Sequence, residues 1–207
     1  HDVGIYENLI LGIHFFLLKK CKIFDEKTIV RCYTGRSMRI NVRKHERRGY
    51  QSIKMSNILE KQFLKQRNDF EKSCVERDKK YHFPQGVIFE TDIAYAKDKN
   101  KAHRLDRYRP KGKEAQILPV IINVHGGGLL LGNKEFNKYF CALLSKKGFL
   151  VYSMEYRLIP DCTFFDQLRD IFLAMDFVKE HAAADGGDLS HVYLCLLYTS
   201  PSPRDTR

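Results

Sequence analysis

Nothing in this 207-residue sequence is apolar for long enough to cross a bilayer. The longest apolar run, residues 9–18, covers ten positions and contains Gly12 and His14; a membrane helix needs about 20. The six cysteines, at positions 21, 32, 74, 141, 162 and 195, form no Cys-x-x-Cys pair and repeat no spacing. Neither a zinc site nor a disulfide framework follows, and reduced thiols in a cytoplasmic protein are expected. Gly-x-Gly-x-x-Gly and Gly-Lys-Ser/Thr are both absent, which removes the common phosphate-binding loops. Internal repeats and low-complexity tracts are missing too. What remains is ordinary globular composition: 43% hydrophobic, 29% charged, mean hydropathy −0.41. That suits one domain able to bury a core.

The formal charge of +11 raises the question of an anionic partner. Residues 1–54 hold 12 Lys+Arg against 5 Asp+Glu, whereas residues 55–194 hold 22 against 19. The basicity therefore sits in the first quarter of the chain. A nucleic-acid or membrane surface would need a basic stripe interleaved with aromatics, or an amphipathic helix. Residues 19–54 offer scattered charge without an apolar period of 2 or 3.6. No nucleic-acid partner is expected, and a basic non-enzymatic binding module is the rival reading. The sequence starts at His1, and Glu46-Arg47-Arg48-Gly49 is what a purine-rich ribosome-binding sequence yields when translated, with Met55 just after it. Residues 1–54 are expected to be a non-native or disordered leader. A signal-peptide reading of residues 9–18 fits poorly, because the lysines follow the apolar run instead of preceding it.

From residue 56 the pattern becomes regular. Leu59, Phe63, Phe70 and Cys74 recur on one face of a helix reaching about residue 77. Residues 87–95 and 105–109 read as strands. Residues 119–124, Pro-Val-Ile-Ile-Asn-Val, form an apolar run expected to be buried on both faces, hence in a mostly parallel sheet. Asn133 is placed to cap a helix with Phe136, Tyr139, Phe140, Leu143 and Leu144 inward, stopping at Gly148. A strand at 149–154, a helix at 165–181 and a short strand at 191–194 complete a doubly wound α/β order with right-handed crossovers.

His125-Gly126-Gly127-Gly128 falls where the buried strand ends. Consecutive glycines allow a tight turn whose N–H groups point into open space, which is what a developing oxyanion requires. The plainer alternative is a glycine-rich turn between strand and helix.

Five motifs in order resemble the α/β-hydrolase esterases and lipases of the hormone-sensitive-lipase-like, His-Gly-Gly-Gly type. They are Leu105-Asp106-Arg107-Tyr108-Arg109-Pro110; the buried strand with His125 to Gly128 and Gly132; Glu155-Tyr156-Arg157-Leu158-Ile159-Pro160-Asp161; Phe165-Asp166-Gln167-Leu168-Arg169-Asp170; and the Gly187-Asp188 turn. The resemblance covers about residues 87–194. It implies an incomplete doubly wound α/β sheet, the N-terminal half of an α/β-hydrolase fold. It also implies that the Gly127 and Gly128 amides supply two-thirds of an oxyanion hole, the third amide following the nucleophile. His125 and Gly126 are then motif-supporting, with His125 steadying the loop and not acting as a base. Leu129 stands where an aromatic residue is usual. Arg157 and Asp170 are expected to pair and hold the loop to the second helix.

A serine acyl hydrolase of this fold also needs a serine on a strand-to-helix elbow, then an acid and a histidine. No Gly-x-Ser-x-Gly occurs here. After Leu194 the chain reads Cys-Leu-Leu-Tyr-Thr-Ser-Pro-Ser-Pro-Arg-Asp-Thr-Arg, whose first eleven residues resemble an in-frame translation of a transposase-type sequencing-library adapter. Residues 195–207 are accordingly expected to be adapter-derived, and residues 55–194 to be the N-terminal part of the hydrolase domain. Ser200 and Ser202 lack elbow glycines and adjoin prolines that resist a following helix. The expected function is a fragment of a serine carboxylic-ester hydrolase acting on small-molecule esters. It would need no metal or organic cofactor, its triad would lie beyond Leu194, and the chain itself would be inactive. A peptidase or amidase of the same fold is the alternative. The sequence leaves the oligomeric state open.

Overall fold

The computed structural model describes residues 57–196 and two three-residue strands before them, β1 (Ile29–Arg31) and β2 (Ser37–Arg39). β1 and β2 pair antiparallel as a separate two-stranded sheet, an element that the aperiodic sequence there does not signal. The apolar run at residues 9–18 and the serines at 200 and 202 lie outside the described residues.

Helix α1 (Asn57–Asp78) matches its sequence period. Phe63, Phe70 and Cys74 are half-buried as expected, but Leu59 is 46% exposed, because the stripe runs past the packed body in the first turn. Arg67, Arg77 and Asp78 occupy the remaining half-buried positions of that stripe. The ring of Phe70 meets that of Phe136 with centroids 5.2 Å apart, and the Arg77 guanidinium lies 4.7 Å over the same Phe136 ring.

The main sheet contains β3 (Val87–Ala94), β4 (Arg104–Pro110), β5 (Leu118–Val124), β6 (Leu150–Met154) and β7 (Gly187–Leu196), in the order β3-β4-β6-β5-β7. β5 lies parallel to both β6 and β7, whereas β3–β4 and β4–β6 are antiparallel. The sheet is therefore parallel only in its second half. Short connections cannot carry the chain back to start a parallel neighbour, so β3 and β4 close as a hairpin. β7 runs two residues past the expected Leu194, with Cys195 opposite Asn123 and Leu196 opposite Val124.

Helices α2 (Lys138–Lys146) and α3 (Phe164–His181) make the two crossovers. β5 to β6 steps one way across the sheet and β6 to β7 steps back past β5, so right-handed connections put the helices on opposite faces. The side chains divide accordingly. Val120, Ile122 and Val124 pack with Ala174, Met175 and Val178 of α3, whereas Ile121 and Val151 pack with Phe140, Cys141 and Ala142 of α2. Burial on both faces is what makes residues 119–124 a nearly continuous apolar run.

Side chains cap the 3₁₀ turn before α2 and the start of α3, whereas Asn137 at the start of α2 itself makes no capping bond. Asn133 Oδ1 accepts from the Phe136 amide at 3.0 Å, opening a 3₁₀ turn (Lys134–Asn137) ahead of α2. Thr163 and Asp166 form a reciprocal capping box at α3. Losing such a cap costs about 1 kcal/mol. Thr163→Ala is therefore expected to lower Tm by about 4 °C in a thermal melt, with the sheet left intact.

Candidate active site

β5 delivers residues 125–128 at its carboxyl end, and the neighbouring strands explain how that loop is held. His125 is fully buried. Its ring stacks on Tyr156 at 4.3 Å, with Nδ1 2.9 Å from the Gly126 carbonyl and Nε2 2.9 Å from Glu155 Oε1. The other Glu155 oxygen accepts from the Lys134 amide at 3.0 Å, and Tyr156 Oη donates to the His125 carbonyl at 3.0 Å. The imidazole thus ties the loop to the residue that follows β6.

Peptide planarity turns these anchors into a statement about the amides. In a trans peptide the carbonyl of one residue points opposite to the N–H of the next. The Gly126 carbonyl is turned toward His125, which sets the direction of the Gly127 N–H. The Gly127 carbonyl accepts from the amides of Leu130 and Leu131 at 3.2 and 3.0 Å, which sets the Gly128 N–H. Among the described residues neither the Gly127 nor the Gly128 amide meets an acceptor. Gly127 is half-buried and Gly128 exposed. The two amides are fixed, adjacent and open to a ligand.

The far side of the loop is equally anchored. Leu129 takes φ +70°, a conformation uncommon for a branched side chain. Its carbonyl accepts from the Ile159 amide at 3.1 Å and from Gln167 Nε2 at 2.9 Å. Gln167, buried on α3, also donates to the Arg157 carbonyl at 2.9 Å. From α1, Arg67 Nε donates to the Leu130 carbonyl at 2.9 Å, while its other nitrogens reach the Ile159 carbonyl and, at 2.8 Å, Asp161 Oδ2.

Behind the loop lies a charged core. Asp170 is completely buried and receives Arg157 through Nη2 at 2.7 Å, Nε at 2.9 Å and the backbone amide at 3.0 Å. His103 Nε2 lies 3.0 Å from the same carboxylate, and His103 Nδ1 lies 2.7 Å from Asp98. The hydrogen bond to Asp170 pushes the Arg157 guanidinium above its ordinary pKa. The expected Arg157–Asp170 pair is present, and His103 joins it without any sequence signal. A second buried cation, Lys134, sits 2.9 Å from Asp106 and 3.1 Å from Asp92. Burial draws its pKa down, but the bond and charge of Asp106 outweigh that and raise it.

Parallel pairing sets Leu196 opposite Val124, so β7 ends level with the strand that delivers the Gly127–Gly128 turn. In a doubly wound sheet the crevice at such a reversal of strand order is where ligands bind. A Ser-His-Asp grouping does occur at Asp188, Ser190 and His191, but it lies at the opposite end of β7. There Ser190 Oγ (2.9 Å) and Asp188 Oδ2 (2.7 Å) both address Nδ1 of His191. A relay needs the serine on one ring nitrogen and the acid on the other, so this cluster is a turn brace. Hydrogen bonds from Ser190, then His191, hold the Asp188 carboxyl down to about 2. Its folded pKa lies below the unfolded value of about 3.9. The brace therefore contributes fully above about pH 4 and is lost as pH falls toward 2. Asp188→Asn is expected to flatten the acid limb of a stability-against-pH profile in that window.

A cavity of about 340 Å³ at that same far end is lined by Glu90, Arg107, Arg109, Glu114 and Asp185. Its charges are engaged with one another: Arg107 meets Glu90 at 2.6 Å and also Asp185, and Arg109 donates to the carbonyls of Lys113, Glu114 and Gln116. Among the described residues no group of three or more His, Cys, Asp or Glu is placed to hold a metal ion, and no helix is long and apolar enough to cross a membrane.

Known proteins are similar to this chain over part of its length. The family model BD-FAE matches residues 105–195. Isoprenylcysteine alpha-carbonyl methylesterase of Arabidopsis thaliana is 30% identical over 92 residues, 44% of this chain and 21% of that protein. Among solved structures, esterase B from Lactobacillus Rhamnosis is 29% identical with a TM-score of 0.57, over 64% of this chain and 44% of that one. The Pyrobaculum calidifontis esterase is 26% identical with a TM-score of 0.53, over 70% and 44%. The chain thus matches about a fifth of that curated relative's length and less than half of each solved esterase. With this strand order and the glycine loop at the end of β5, the chain carries part of the α/β-hydrolase fold of these solved esterases.

Proposed function

We propose that residues 55–194 are the N-terminal part of a serine carboxylic-ester hydrolase, in which the Gly127 and Gly128 amides receive the oxyanion formed when a nucleophile attacks a small ester. The observation that supports this reading is the pair of adjacent amides that meet no acceptor among the described residues, directed by anchored carbonyls, in the loop after the strand that pairs with β7. Attack turns a carbonyl oxygen into an alkoxide, and two fixed N–H groups stabilise that charge without reorganising. Removing one such donor from an acyl-transfer site costs about 10²- to 10³-fold in rate. The nucleophile, the acid and the base come from sequence that follows β7, at the sheet end where a strand-to-helix elbow would face Gly128. The likeness to a methylesterase and to esterase B supports the substrate class.

The test is to extend the chain with the genomic sequence downstream of the Leu194 codon and to assay p-nitrophenyl butyrate. The expected result is saturable hydrolysis that is lost when the supplied elbow serine becomes alanine, with the 207-residue chain no better than albumin. Robust hydrolysis by the 207-residue chain, abolished by a substitution within it, would overturn the proposal. So would a genomic continuation without an elbow.

A further inference from the structure

We propose that Arg67 and Gln167 are positioning residues for the Gly127–Gly128 amide pair, clamping the loop from two different helices. This rests on reading that pair as an oxyanion site. The carbonyls of residues 125, 126 and 127 are held from within the loop and by Tyr156. Those of Leu129 and Leu130 are held by side chains from distant sequence. Gln167 on α3 takes the Leu129 carbonyl, and Arg67 on α1 takes the Leu130 carbonyl.

Each clamp has a second hold on the same neighbouring strap. Gln167 donates its other N–H to the Arg157 carbonyl, and Arg67 reaches the Ile159 carbonyl and Asp161. Loop and strap are also tied directly, by the Ile159 amide on the Leu129 carbonyl. Two consecutive carbonyls of the loop are therefore fixed relative to one strap by donors from both helices. Leu129 lies between Gly128 and that double anchor, at a backbone angle it adopts only under constraint. If the anchors go, Leu129 can relax to negative φ, which carries the Leu130 and Leu131 amides off the Gly127 carbonyl and so releases the peptide plane that holds the Gly128 amide.

Both clamps are built into the packed structure. The Arg67 side chain is only 14% exposed and the Gln167 residue 1%. Asp161, the sole charged partner of Arg67 among the described residues, is 64% exposed. An exposed ion pair contributes little. The clamp therefore acts through carbonyls that need a forked donor, a geometry that lysine cannot reproduce. Because α1 supplies one arm, that helix belongs to the support of the loop.

The experiment is a ¹H–¹⁵N spectrum of the full 207-residue chain with assigned glycine amides. In Arg67→Met and in Gln167→Met the Gly127 and Gly128 resonances are expected to shift or broaden, while those of Gly148 and Gly186 stay in place. Arg67→Lys should not restore the wild-type positions, and Asp161→Asn should leave them unchanged. Amide exchange over residues 126–132 is expected to speed up at least tenfold in both methionine variants. Unchanged Gly127 and Gly128 signals in Arg67→Met would overturn the clamp, as would full rescue by lysine. Should Gln167→Met unfold the domain, with Gly148 and Gly186 moving too, Arg67→Met decides alone. No step depends on turnover, so failure of the ester-hydrolase reading leaves this result standing.

Discussion

Gly127→Ala is expected to destabilise the chain by about 3 kcal/mol, while Gly128→Ala one residue later costs about 1 kcal/mol. The difference comes from what a methyl group would meet. At Gly127, φ is +129°, a region closed to L side chains, and an added Cβ would lie 2.0 Å from the Leu131 carbonyl oxygen. That oxygen belongs to backbone and cannot swing aside, so the turn must open and give up the Leu130 and Leu131 hydrogen bonds to the Gly127 carbonyl. At Gly128, φ is +63° and an added Cβ meets nothing within 4 Å, leaving only the ordinary penalty of the left-handed region. Urea titrations of the two variants measure this directly. Equal losses would show that the loop is softer than its hydrogen bonds imply. In an extended, active chain Gly127→Ala should also lower kcat by about 10²-fold, because opening the turn misdirects the Gly128 N–H.

The glycine loop was legible in the sequence because its information is local. Three glycines after an apolar β-branched run specify a sharp turn at a strand end, and residues 119–124 already announce burial on two faces. Helix α3 was legible for a similar reason, since a helical apolar period needs no knowledge of what it packs against. The clamps were not legible. Arg67 lies 63 residues from the carbonyl it holds and Gln167 lies 38 from its own. A side chain bonding to a remote backbone oxygen leaves no spacing to read. Arg67 even sits on the predicted apolar stripe of α1, where a charged residue normally marks the solvent side. The exposure of Leu59 has the mirror-image cause: helical period states which face a residue lies on, but not how far the body beneath that face extends. His103 was missed because a histidine between two carboxylates has no sequence signature unless the fold is known. Cys195 and Leu196 pair with Asn123 and Val124 and continue β7 past the expected Leu194.

Asp170→Ala is expected to cost about 3–5 kcal/mol, the usual loss when one partner of a buried, hydrogen-bonded charge pair is removed. Asp170 is 0% exposed and gathers four donors: three from Arg157, including the backbone amide, and one from His103. Truncation leaves those groups facing an apolar methyl. The Arg157 guanidinium, with its side chain 26% exposed, can turn toward water, and His103 keeps Asp98. The Arg157 amide has no such escape, and its strap carries the contacts to Leu129 and Leu130, so the damage should spread to the candidate site. Arg157→Met should cost less, because Asp170 keeps His103 and the backbone amide. A double-mutant cycle between the two positions is expected to give a coupling of at least about 1 kcal/mol, measured by urea unfolding followed through tyrosine fluorescence. Additive losses would mean that the pair is incidental, and that the strap is held instead by Gln167 and Arg67.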